Sequence, residues 1–371
     1  MVTASGTASG TEYADRVRGS LLGGALGDAL GWPVEFLHLD DIREQYGPAG
    51  VTGRVSRRGW QVTDDTQMTL FSAEGMIRGF VRGWSGGGGS VPEAVHEAYR
   101  RWFLTQGQDG PAAEPARPYD GWLLRQPFLY ARRAPGNACM SGAGDHQVFE
   151  APAVFGQPGP VNAHSKGCGT VMRSAPFGLA RLGVEQAFAL AAQCGQLTHG
   201  HPTGYLAAGA FAALVERVTA GAALRTAVEE TIEQTAAWPG SEETVKALRR
   251  AVLLADQGSP DADWVERVGL GWIAEECLAI AVYCALAGGD GPDGARRALL
   301  LSVNHSGDSD STGAVCGNLV GAVHGASGLP PEWADAVEGR DVLLQVADDL
   351  VALFGTRQPD HPALGDRYPV A

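Results

Sequence analysis

Two short acidic clusters hold the residues best suited to chemistry. "VTDDTQMTL" (62–70) sets Thr63, Asp64 and Asp65 side by side, and "NHSGDSDSTGA" (304–314) packs Asp308, Asp310, Ser311 and Thr312 together, with no Lys or Arg in either. Each stands at a predicted helix start, where one Asp, Ser or Thr is enough to accept an orphan backbone N–H and complement the dipole. Three or four in a row exceed that need, and abutting carboxylates repel unless a cation or a proton intervenes. Carboxylate and hydroxyl oxygens are hard donors suited to Mg²⁺, Mn²⁺ or Ca²⁺, and the lack of Cys and scarcity of His within the clusters disfavour zinc. If the fold joins the two helix starts, four carboxylates and two hydroxyls could hold two divalent ions. Such a pair can orient a water and stabilise charge on a leaving oxygen or nitrogen.

Helices must do the positioning. From Tyr13 to Leu30, apolar residues recur at Val17, Leu21, Leu22, Ala25, Leu26 and Ala29, and interspersed glycines permit close packing against a neighbour. A second helix is predicted from about Asp65 through Phe80, ended by "WSGGGGS", and a third is opened by Pro92. Residues 37–62 read as loop. The stretch 107–165, rich in Gly and Pro, reads as a functional loop with one short helical piece near 120–131. Beyond 170 the pattern is helical almost throughout: 171–182, 184–196, 202–219, 223–236, 242–256, 271–287, 292–302, 311–324, 331–337 and 339–354. No convincing strand alternation appears. The expectation is an all-α fold. Residues 1–10 read as a disordered lead-in and 11–371 as a single domain.

Composition narrows the partners. A net charge of −14 over 371 residues argues against a phosphate-tracking nucleic-acid surface, which needs clustered Lys and Arg. Six cysteines are scattered without a CxxC pair, so reduced thiols are expected rather than disulfides or a zinc site. The first residues show neither a basic nor an apolar leader, and the longest apolar run, Cys277 to Ala287, is too short to span a bilayer. A cytoplasmic protein with no membrane partner is expected.

"RVRGSLLGGALGDALGWPVEF" (16–36), "TDDTQM" (63–68), "RAPGNACMSG" (133–142), "SKGCGTVMRSAPFGL" (165–179), "LTHGHPTGYLAAGAFAALV" (197–215), "GWIAEECLAIAVYCAL" (271–286) and "SGDSDSTGAVCGNLVGA" (306–322) follow one another in order. Together they resemble the ADP-ribosylglycohydrolase family over nearly the whole chain. The resemblance implies an all-α, compact orthogonal multi-helix domain with a dinuclear metal centre, two Mg²⁺ or Mn²⁺ ions, in a central cleft, which cleaves the bond at C1″ of ADP-ribose. It implies that Thr63, Asp64 and Asp65 form one set of metal ligands and Asp308, Asp310 and Ser311 the other. Ser311 stands where many relatives carry Thr, a change that keeps the hydroxyl. Glu35 matches the glutamate proposed to reach the metals and activate water, so Glu35, Asp64 and Asp308 are the expected catalytic residues.

The remaining candidates concern the substrate. Glycines 167 and 169 in "SKGCGTVMR" precede a predicted helix, whose bare N–H groups suit an anion. The resemblance gives this segment the diphosphate and ribose, making Ser165, Lys166, Gly167, Cys168 and Gly169 expected contacts, although relatives often carry Asn at Cys168. His199 is expected to face the ligand, while His201 and His305 read as structural. Asn137 reads as a turn residue, and Glu275 and Glu276 as supports on a buried helix. The activity expected is removal of ADP-ribose from an ADP-ribosylated acceptor, foremost arginine on a protein, with nucleic-acid or small-molecule acceptors open. The alternatives are a non-catalytic ADP-ribose or nucleotide binder and a dinuclear phosphohydrolase of a nucleotide-sugar.

Overall fold

Apolar residues at helical spacing, with the Ser9 hydroxyl accepting from the Glu12 N–H at 3.3 Å, set the first helix, α1 (Gly10–Gly31). A computed structural model describes residues 9–53, 59–112, 120–145, 148–258, 260–290, 293–355 and 362–369. Residues 1–8 of the expected lead-in lie outside the described residues, whereas Ser9 and Gly10 already belong to the helix start.

The helices that follow are α2 (Leu39–Tyr46), α3 (Asp64–Trp84), α4 (Val91–Thr105), α5 (Asn137–Gly144), α6 (Ala175–Leu179), α7 (Val184–Gly195), α8 (Pro202–Thr219) and α9 (Leu224–Ala236). They continue as α10 (Glu242–Gln257), α11 (Ala262–Val268), α12 (Ala274–Gly288), α13 (Gly294–Val303), α14 (Ser309–His324), α15 (Pro331–Ala334), α16 (Arg340–Leu350) and α17 (Pro362–Arg367). No β-strand occurs among the described residues; Gly167 and Ile273 form one isolated antiparallel bridge. The all-α expectation is met, and no described helix is long and apolar enough to cross a membrane.

The tightest seam in the molecule joins α1 to α14, elements almost three hundred residues apart. Gly19, Gly23, Gly27 and Gly31 recur every fourth position and so line one face of α1. They meet Gly321, Gly317, Gly313 and Ser309 in antiparallel register, backbone against backbone. A Cβ on Gly27 would overlap the Gly313 carbonyl, and one on Gly313 would overlap the Gly27 carbonyl. Only glycine allows this approach, so its usual helix penalty is outweighed by the packing it permits. The seam carries the C-terminal end of α1 to the start of α14 and thereby brings the 28–35 segment to residues 308–311.

α12, apolar on all sides, packs against α8, α10, α13 and α14, while α3 lies against α4. Apolar core residues run from Tyr13 to Tyr368. Departures from the sequence reading have local causes. The predicted loop 37–62 contains α2, a mostly polar helix that buries only Leu39 and Ile42 and so lacks a long apolar stripe. Of the predicted helix 171–182 only the five-residue α6 forms, preceded by a 3₁₀ turn, Cys168–Thr170. Pro176 is tolerated only in a first turn, so no helix can run through it from 171. The piece near 120–131 is two 3₁₀ turns, Leu123–Arg125 and Pro127–Tyr130. α5 and α11, short and weakly periodic, had no expectation attached.

Candidate active site

The two acidic clusters meet. α3 opens with Asp64 and Asp65, α14 begins just after Asp308, and Glu35 leaves the 3₁₀ turn (Trp32–Val34) that prolongs α1. Asp64, Asp65, Asp308, Asp310, Ser311 and Glu35 all line one cleft of about 390 Å³. Carboxylate oxygens of Glu35, Asp308 and Asp310 lie within 4.8 Å of one another. All five carboxyl side chains are buried.

Burial dominates their electrostatics. It raises the Glu35 carboxyl to about 8, with Asp308 and Asp64 adding to the rise. It also lifts Asp64, helped by Asp28, and Asp65, helped by Asp64. Asp310 rises by burial and then by Asp65. Asp308 rises by burial too, but hydrogen bonds from Asp310, Cys168 and Ser311 oppose the shift. Like charges crowded in a dry place need cations or protons. Glu35 Oε2 and Asp65 Oδ1 are buried with no hydrogen-bond partner. A hard divalent cation is what this all-oxygen donor set fits.

In chelator, carboxyls with raised pKa values make the folded chain bind protons more readily than the unfolded one, so stability is lost as pH rises through Glu35's value. His199 and His305, lowered to about 3 and about 4 mainly by burial, oppose this only below an unfolded value of roughly 6.5. The Tm of chelated protein should therefore rise as pH falls from about 8.5 to about 6.5, and Mg²⁺ or Glu35→Gln should flatten that rise. A chelated Tm that stays level or drops over this window contradicts the reading.

Asp28 is the residue that sequence reasoning missed. Fully buried near the end of α1, it accepts from the Thr63 N–H at 2.9 Å, the Thr66 N–H at 3.1 Å and the Thr66 hydroxyl at 2.5 Å. Burial raises its pKa to about 6 against the pull of these donors. It pins the start of α3 to α1. The sequence signal was one Asp inside the apolar, Gly-rich "GGALGDALG", where an ionisable group without a purpose is costly. Asp28→Ala should destabilise by about 2–4 kcal/mol through three orphaned donors. It should also weaken Mg²⁺ binding about 10–100-fold, as loss of a ligand's support does. Calorimetric Mg²⁺ titration alongside thermal unfolding reads both effects.

Thr63 is buried and does not line the cleft. Its hydroxyl caps α3, accepting from the Asp65 N–H at 3.4 Å and lying 3.3 Å from Asp65 Oδ2. The structure thus gives Thr63 the capping role, and its hydroxyl, away from the cleft, corrects the expectation of a metal ligand there.

The opposite wall comes from Ser165, Gly167, Cys168, Gly169 and His199. The Cys168 thiol donates to Asp308 Oδ2 at 2.8 Å, and burial raises its pKa well above the usual thiol value. Cβ atoms on Gly167 or Gly169 would press on the His199 ring, at 3.2 and 2.9 Å. Gly167 precedes and Gly169 lies within a three-residue 3₁₀ turn, Cys168–Thr170, so the helix dipole expected behind them is absent. Lys166 does not line the cleft. Its ammonium is held by Glu275 at 2.6 Å and Glu243 at 2.7 Å, which corrects the expected substrate contact.

The Thr198 hydroxyl accepts from Arg173 at 2.6 Å and hydrogen-bonds His199 Nδ1 at 2.7 Å, which orients the ring with Nε2 toward Gly167 and Gly169. Residues 134–139, including Asn137, also line the cleft, with the Gly136 N–H reaching Asp64 Oδ2 at 3.4 Å. Glu276 accepts from the Leu270 N–H at 3.0 Å, a supporting contact away from the cluster.

A helical frame that converges two acidic segments on one buried cleft defines the class. Residues 9–360 match the model of the ADP-ribosylglycohydrolase family, and the chain belongs to that family. An uncharacterized protein of Archaeoglobus fulgidus is 27% identical over 335 residues, covering 87% of this chain and 92% of its own. The ADP-ribosyl-[dinitrogen reductase] glycohydrolase of Rhodospirillum rubrum is 26% identical over 338 residues, covering 88% and 92%. The ADP-ribosylarginine hydrolase Tri1 of Pseudomonas putida is 42% identical, but over only 53 residues, 14% of each chain. A solved structure described as an ADP-ribosylglycohydrolase-related protein complex superposes with a TM-score of 0.61, covering 92% of this chain and 99% of the other. At 23% identity that match shows the shared fold alone. The chain is thus a hydrolase of a family that acts on ADP-ribosylated substrates and is generally metal-dependent.

Proposed function

We propose that this protein removes ADP-ribose from ADP-ribosylated arginine on a protein, using two divalent cations, Mg²⁺ or Mn²⁺. The observation that carries the reading is the convergence of residues 64–65 and 308–311 with Glu35 in one buried cleft. One relative is named for a protein acceptor, dinitrogen reductase, and another, over a short match, for arginine, which supports this acceptor class.

Asp64, Asp65, Asp308, Asp310 and Ser311 would hold the cations. When bound, such a pair supplies an activated water and stabilises negative charge on substrate oxygens. Glu35 Oε2, buried and unpartnered, takes the proton of the water that attacks C1″. Gly167 and Gly169, whose missing side chains make room for the His199 ring, present bare backbone at the cleft wall to the diphosphate. His199 Nε2 hydrogen-bonds a ribose or phosphate oxygen beside them. Asp28 and Thr63 hold the start of α3 in register.

The test is release of intact ADP-ribose from ADP-ribosyl-arginine, dependent on Mg²⁺ or Mn²⁺ and suppressed by EDTA. Serine-, base- and phosphate-linked ADP-ribose complete the panel. AMP and ribose phosphate as products would instead mark a phosphohydrolase, and no release from any linkage would overturn the reading.

A further inference from the structure

Phe36 and Trp272 stack on each other, ring centroids 5.8 Å apart and planes 23° from parallel, and both line the cleft. They are also unusually open, Phe36 being 71% exposed and Trp272 41%. Leu270, two residues before Trp272, is 40% exposed as well. Three large apolar side chains left in water at the rim of a buried polar site mark a contact surface rather than packing.

Their place in the chain says which part of a substrate they meet. Phe36 follows Glu35 directly. Trp272 shares a loop with Leu270, whose carbonyl accepts from the Asp308 N–H at 2.8 Å. The pair therefore adjoins the carboxyls that face the reacting carbon. In an ADP-ribosylated acceptor, the group bonded to that carbon is the acceptor itself, whereas adenine lies two sugars and two phosphates away. No Lys or Arg side chain lines the cleft among the described residues, so no protein cation of the cleft competes with an incoming one for the aromatic face.

We infer that the Phe36–Trp272 stack is the acceptor subsite and receives the planar guanidinium of arginine on its open face, with Leu270 against the aliphatic stem. A planar cation gains from an aromatic face in a way that a small neutral hydroxymethyl group does not. This rests on the reading of ADP-ribosyl-arginine as substrate, but the binding arm below is independent of it.

Two measurements test the inference. In the first, agmatine, a soluble guanidinium, is titrated by saturation-transfer NMR into Mg²⁺-loaded protein saturated with ADP-ribose, with neutral butylurea as the control. Agmatine should bind and butylurea should not; Phe36→Ala and Trp272→Ala should lose the signal and Trp272→Phe should keep most of it. In the second, KM for ADP-ribosyl-arginine should rise about tenfold in either alanine variant, with calorimetric affinity for free ADP-ribose unchanged within about twofold. Agmatine failing to bind the wild type, or binding the alanine variants equally, overturns the inference. A parallel fall in ADP-ribose affinity also overturns it, since the stack would then belong to the nucleotide half. Should the wild type bind agmatine through the stack yet not hydrolyse ADP-ribosyl-arginine, the proposed function falls and the guanidinium site stands.

Discussion

Asp308→Ala should lower kcat by about a thousandfold or more at saturating Mg²⁺ or Mn²⁺, the scale of losing a metal's several kcal/mol of transition-state stabilisation. Asp308 sits where the clusters join: its carboxylate oxygen lies with those of Glu35 and Asp310, and its N–H is fixed by the Leu270 carbonyl. Asp64→Ala should match it, and Asp310→Asn should come close. A fall in activity alone could reflect misfolding, so the diagnostic result pairs it with stability. Removing one of several crowded like charges relieves repulsion in the metal-free protein. The Asp308→Ala Tm in EDTA should therefore equal or exceed that of the wild type, while the increase normally produced by Mg²⁺ disappears. Near-wild-type rates at limiting metal for any of these variants would show that the cations sit elsewhere.

Gly27→Val should be the most destructive single change outside the acidic cluster. Its side chain would have to occupy the space of the Gly313 backbone, which cannot be moved without unzipping α1 from α14. Overpacking in a core costs about 1–3 kcal/mol, and collision with backbone belongs to the exceptional losses above about 4 kcal/mol. Even Gly27→Ala, which would gain about 1 kcal/mol of helix propensity at a free site, should be net destabilising by about 2 kcal/mol or more. Gly83→Ala is the control. This exposed glycine of α3 has open space where a Cβ would project, so the substitution should raise stability by about 0.5–1 kcal/mol. Opposite signs for the same substitution, read by chemical denaturation, separate packing from propensity. If both stabilise, α1 and α14 are not in backbone contact.

Much of this was legible in the sequence because the signals were redundant. Long apolar periodicity marked α1, α3, α8 and α12, and the surplus of acids at two helix starts announced the site. What could not be read was information carried by single residues or by irregular backbone. Asp28 carries no motif, and its meaning lies in three donors supplied from residues 63 and 66. Lys166 resembled a phosphate contact until the fold placed Glu243 and Glu275 beside its ammonium. Phe36 and Trp272 are ordinary aromatics until two loops make them neighbours. The helix expected after Gly169 failed because apolar content was counted without the veto of Pro176.

The glycine seam also sets a schedule. α1 also packs against α13 and α16, but its glycine face is completed only by α14, so that face leaves the ribosome long before its partner exists. Joining such distant segments is entropically slow and comes late in folding. The segments bearing Asp64 and Asp65 on one side and Asp308 and Asp310 on the other should therefore meet only after that seam has closed, which makes the acidic cleft one of the last features of the fold to assemble.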